Sequence, residues 1–180
     1  MQASAEPIDR NSDFETELKL VTSLFVDLVG SLDIISDVGA QQASVFFETC
    51  RTTLIQIAHR HGGTIGTVAG DGILFLFGAP TAHSKHAANA CLAALDMISA
   101  AGKKAVSGPQ MELRIGISTG ETLVRPVETD IGWHYDATGK AVHVASRLQE
   151  MTRSGSILMG QLTCDLAGDD FVSEGLGLER

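Results

Sequence analysis

The chain has 180 residues, 44% of them hydrophobic and 19% charged, with a formal net charge of −9 at pH 7. That length and balance specify one ordered globular domain with a single substantial core and exclude a disordered chain. The acidic charge excludes broad, sequence-independent nucleic-acid binding, which needs clustered Lys and Arg, but it is compatible with a nucleotide that arrives with its own metal ions.

Residues 1–16 are polar and read as a flexible leader, with the domain itself spanning 17–180; they lack the basic-then-apolar order of a signal peptide. Leu18 to Leu28 (LKLVTSLFVDL) is branched, apolar and of strand length, and it leads through Val29-Gly30-Ser31 into a helix. Ala40 to His61 carries Val45, Phe46, Cys50, Leu54, Ile57 and Ala58 at helical spacing and stops at Gly62-Gly63. Two apolar runs in GTVAGDGILFLFG, residues 66–78, then meet at a Gly70-Asp71-Gly72 tip, the pattern of a hairpin. Ala82 to about Ala105 is Ala-rich and helical, and His83 and His86 at its start are expected in solvent. Met111 to Ser118 reads as a strand, with Thr119-Gly120 turning into a second run, ETLVRPV.

The polar stretch Glu128 to Tyr135 has little pattern but holds the sole Trp and Tyr. Lys140 to Met151 is helical, with Val142, Ala145, Leu148 and Met151 on one side; a short strand (Ser156–Met159), a short helix near Leu162–Ala167 and strand-like fragments (FVSEGLGLER) follow. Paired strands with helices between them imply an α+β fold: a ferredoxin-like, βαββαβ-type sandwich of an antiparallel-rich sheet with helices. No run approaches a membrane span. Cys50, Cys91 and Cys164 are odd in number, widely spaced and outside any CxxC pair, so they read as buried apolar residues of a reducing, cytosolic compartment.

Two carboxylates stand out. Asp27 closes an otherwise apolar strand, LFVDLVG, where a charge is costly unless paired or bound to a cation; taken alone, it could cap the following turn. Asp71 alone is an ordinary turn residue. In a βαββ unit, however, the first strand ends beside the hairpin tip, so both carboxylates converge at one end of the sheet. Like charges that close repel, and a divalent cation is their natural partner. Two Mg²⁺ ions about 3.5–4 Å apart are a standard device for phosphoryl transfer. Gly30 and Ser31, entering a helix, can offer backbone N–H groups to phosphates.

These segments resemble the class III nucleotidyl cyclase catalytic domain. LFVDLVGS matches its first metal segment and GTVAGDGILFLFGAP its metal hairpin; RIGISTG and YDATGKAVHVASRL follow in the family's order. The likeness runs from about Leu18 to the C-terminus, where the chain stops short of the family's usual last strand, as an excised domain would. It implies the nucleotide cyclase fold and a homodimer with sites shared across the interface. Asp27, Asp71 and the Leu28 carbonyl would hold two Mg²⁺ or Mn²⁺ ions. The ribose 3′-hydroxyl of the substrate would attack its α-phosphate, expelling pyrophosphate. Arg147 matches the transition-state arginine, with a solvated helix arginine as the plain alternative. Asp136 matches the position that accepts from the adenine amino group, which favours ATP over GTP.

Two positions depart from the family. Thr67 stands where adenylate cyclases carry a base-reading lysine, and His143 stands where an asparagine orients the ribose. Both keep a hydrogen-bonding group but change its reach and charge. They support an alternative: a degenerate cyclase homology domain that binds nucleotide or dimerises to regulate a partner, without turnover. The related palm-type reading fails, because the hairpin lacks the Gly-Gly-acidic-acidic-Phe pattern of diguanylate cyclases.

Overall fold

A computed structural model describes residues 16–103, 109–129 and 132–177 of the chain. The expected leader, apart from residue 16, and the last three residues lie outside the described residues.

The elements are β1 (Glu17–Leu28), α1 (Ser31–Val38), α2 (Ala40–Arg60), β2 (Gly63–Ala69), β3 (Gly72–Phe77), α3 (His86–Ala101), β4 (Leu113–Thr129), β5 (Gly132–Thr138), α4 (Lys140–Met151), β6 (Ser156–Met159) and α5 (Gln161–Ala167). The strands form one sheet in the order β2-β3-β1-β4-β5, antiparallel throughout, with β6 added parallel to β4. This is the α+β sandwich expected from the element order.

Strand alternation divides the core in two. Leu24, Val26, Phe75, Phe77, Ile115 and Ile117 point to the face covered by α2, α3 and α5, packing on Cys50, Leu54, Ile57, Cys91, Met97 and Ala167. The opposite face carries Val21, Leu74, Leu76 and Val124, and it is covered by Tyr135 and Ala137 of β5 and Val142 of α4. The far half of β4 and β5 therefore curl over this face, and β5 comes close to β2. Helix α4 lies directly on β4 because residue 116 is glycine: a Cβ there would sit 2.1 Å from the Ala145 carbonyl oxygen and 2.3 Å from the Gln149 nitrogen.

Four local expectations are corrected. Thr119-Gly120 does not turn; β4 runs through it as one strand, with Ala141 of α4 packed where a Gly120 side chain would go. The helix expected from Ala82 starts at His86, and residues 171–177 form no strand. His86 is not solvated. It is only 9% exposed, and its Nδ1 lies 2.8 Å from Thr22 Oγ1. Thr22 in turn bonds Thr119, which bonds Thr163, giving a buried polar chain from α3 across β1 and β4 to α5. Burial lowers the His86 pKa below its ordinary 6.5, with the nearby His83 charge acting in the same direction.

Candidate active site

The hairpin tip is a two-residue turn. Ala69 pairs with Gly72, so Gly70 and Asp71 make the loop, and Gly70 alone takes a positive φ, +63°. Glycine at the first loop position meets the backbone demand of a tight hairpin. Asp71, with a negative φ, is not needed for the turn. Its carboxylate calls for another explanation.

Register supplies one. β1 and β3 pair from Thr22 with Phe77 to Val26 with Ile73. Carried one residue further, that register sets Asp27 level with Gly72, which puts Asp27 and Asp71 at the same end of the sheet. Leu28, 5% exposed, closes β1 there; its side chain has no donor atom, so its main-chain carbonyl is the one group it can offer a cation. Gly30 follows in the left-handed region (φ 73°), caps α1 and directs the chain so that Ser31 opens the helix. The first-turn N–H groups of α1, which have no intrahelical acceptor, thus begin four residues after Asp27.

Asp27 itself is 18% exposed and held from two sides. Arg114, its direct cross-strand partner on β4, donates from Nη2 to Oδ2 at 2.7 Å. Gln149, near the end of α4, donates from Nε2 to the same oxygen at 3.3 Å. Both contacts converge on Oδ2, so Oδ1 takes part in neither. The Arg114 Nε is buried without a hydrogen-bond partner among the described residues. Sequence reading missed both residues. Arg114 lay in RIGISTG, but only the β1–β4 register places it opposite Asp27. The signal for Gln149 was its place two residues after Arg147, which puts it on another face of α4.

The donor set at this end fits a hard divalent cation. It offers two carboxylates and a main-chain carbonyl, all oxygen, and Mg²⁺ commonly takes one or two carboxylates plus substrate phosphates. Among the described residues there is no cluster of three or more His, Cys, Asp or Glu side chains that could hold a metal ion, at this end of the sheet or elsewhere.

The remaining predicted residues lie on the flank. Thr67 is exposed on β2, within the irregularity between Ile65 and Val68. Asp136 is on β5, directly opposite Arg125 on β4, and accepts from Arg125 Nη2 at 3.2 Å. The approach of β5 to β2 brings the strands of Thr67 and Asp136 together. His143 and Arg147 are exposed one turn apart on α4. The fold thus groups Asp27, Asp71, Leu28, Gly30 and Ser31 at one end. It presents Asp136, His143 and Arg147 outward on adjoining elements.

A family model for the adenylate and guanylate cyclase catalytic domain matches residues 15–175. Adenylate cyclase 1 of Rhizobium meliloti is 29% identical over 138 residues, covering 74% of this chain and 21% of that protein. The chain spans a quarter or less of the length of the curated relatives it matches, 15% to 24%. Among solved structures, the catalytic core of a rhodopsin-guanylyl cyclase with converted specificity, in complex with ATPαS, superposes with a TM-score of 0.83 at 26% identity, over 93% of this chain and 91% of that one. The adenylyl cyclase CyaB from P. aeruginosa superposes with a TM-score of 0.72 at 28% identity, over 84% and 82%. No helix among the described residues is long and apolar enough to cross a membrane.

Proposed function

This chain belongs to the adenylate and guanylate cyclase catalytic domain family, and from that premise we propose that it converts ATP to 3′,5′-cyclic AMP and pyrophosphate at sites shared by two copies. The observation that carries the reading is the convergence of Asp27 and Asp71, the second of which the turn itself does not require.

In this reading Asp27, Asp71 and the Leu28 carbonyl of one copy would hold two Mg²⁺ or Mn²⁺ ions, which would supply Lewis acidity for the 3′-hydroxyl and charge neutralisation for the triphosphate. The 3′-oxygen forms a bond to the α-phosphorus as the bond to the bridging α–β oxygen breaks, and the hydroxyl proton leaves to solvent. Arg114 and Gln149 keep the Asp27 carboxylate oriented. The N–H groups at Gly30 and Ser31 face the phosphates. The second copy presents Arg147 to the charge that builds on the α-phosphate, His143 to the ribose and Asp136 to the adenine amino group. The outward exposure of these side chains in a single chain supports that division.

The regulatory alternative draws on Thr67 and His143. The intact carboxylate pair weighs against it, since a domain that only dimerises has no use for one. The test is direct quantification of cyclic products from ATP and from GTP, with Mn²⁺ and then Mg²⁺. Cyclic AMP in excess supports the proposal. Cyclic GMP in excess would reassign the substrate, and no product from a dimeric protein would favour the regulatory reading.

A further inference from the structure

We propose that Arg125 is a specificity-determining residue, whose guanidinium donates to the purine ring nitrogen next to the amino group read by Asp136. This deepens the reading above and rests on it.

The geometry starts from register. Arg125 and Asp136 are direct partners on β4 and β5, so their side chains leave the same face side by side. Their contact is single, Nη2 to Oδ2 at 3.2 Å, and leaves further N–H donors on the guanidinium. Both side chains are about half exposed, 55% and 49%, so the pair closes no core, and exposed pairs of this kind contribute little to stability. On a neighbouring strand, Thr67 of β2, which β5 approaches, is short and uncharged at the position the resemblance gives to a base-reading lysine. The donor absent at Thr67 is present at Arg125.

The order of groups then decides the base. Adenine offers a donor at its 6-amino group and an acceptor at N1. Asp136 beside Arg125 offers an acceptor and a donor in the complementary order. Guanine reverses both, with an oxygen at position 6 and an N–H at position 1. With Asp136 against the 6-substituent, carboxylate would meet carbonyl and guanidinium would meet N–H. Such mismatches set acceptor against acceptor and donor against donor and so discriminate against guanine.

The test compares binding and turnover of ATP, GTP and 1-deaza-ATP, in which N1 is a C–H. The proteins are the unaltered chain, Arg125→Met, and Arg125→Met combined with Thr67→Lys, each checked by thermal melting. The unaltered chain should bind ATP about tenfold more tightly than 1-deaza-ATP, the range of a hydrogen bond to a charged group. Arg125→Met should lose about that factor for ATP and nothing for 1-deaza-ATP, with a lower ATP-to-GTP ratio, and Thr67→Lys should restore it. Equal weakening of ATP and 1-deaza-ATP, or no weakening of either, would overturn the proposal. A chain that binds ATP but forms no cyclic product refutes turnover alone, and the binding comparison still decides Arg125. A chain that binds neither nucleotide overturns both readings.

Discussion

The carboxylate end of the sheet and the flank formed by β5 and α4 are built in opposite ways. Asp27 is mostly buried and fixed from two further elements, by Arg114 across the β1–β4 ladder and by Gln149 from α4. His143 and Arg147 stand exposed on the outer side of α4, and Asp136 is about half exposed on β5. One region is organised before any ligand arrives. The other is offered outward. The proposed site, assembled from two copies, would need that asymmetry: each chain would hold its own carboxylate half rigid and present the complementary half to its partner.

The difference can be broken most severely at Asp27. Replacing Asp27 with Ala should lower kcat by about a thousandfold or more, because the divalent ions supply several kcal/mol of transition-state stabilisation. The same change leaves the Arg114 guanidinium without its counterion, so the melting temperature should fall as well. At the flank, Arg147→Ala should cost about a hundredfold in kcat with the melting curve unchanged, since the side chain is exposed and only transition-state charge is lost. Together these variants separate the regions, since one couples activity to stability and the other does not. Steady-state kinetics and thermal melts on the same preparations check both.

A third change attacks the link between the regions. Gly116→Ala forces a Cβ into the α4 backbone and should destabilise the domain by about 3 kcal/mol, measured by urea unfolding. A smaller effect concerns pH. His86 has a folded pKa below its ordinary 6.5, so the unfolded chain takes up a proton first as pH falls. Stability should be fully present above pH 6.5 and decline below it, and His86→Gln should flatten that slope in melts across pH 5 to 8. Smallest is thiol reactivity. Burial pushes Cys50 and Cys91 up to about 11, so Cys164, partly exposed, should alkylate first in a timed mass-spectrometric assay.

The same contrast governs what could be read from the amino acids. β1, α2, the hairpin, α4 and β6 were legible because each has one apolar periodicity and a clear stop. Asp27 and Asp71 could be singled out because a charge inside an apolar run and a carboxylate at a tip both stand out. Features set by distant partners were not. His86 looks solvated at a helix start, yet Thr22, 64 positions earlier, gives it a buried hydrogen bond. Gly120 looks like a turn, yet its missing side chain makes room for Ala141. β5 (GWHYDAT) mixes aromatic, small and polar residues, so it carries no apolar run to announce it. Arg114 and Gln149 acquire a role only when pairing sets them against Asp27.

The measurement that tests the shared site most directly mixes two inactive variants, Asp27→Ala and Arg147→Ala, under conditions that let dimers exchange. A two-fold interface gives mixed dimers one intact site, so cyclic AMP formation should recover to about a quarter of the unaltered rate. Failure to recover activity, with exchange confirmed by differently tagged copies, would place the carboxylates and Arg147 in the same chain's site and contradict the account.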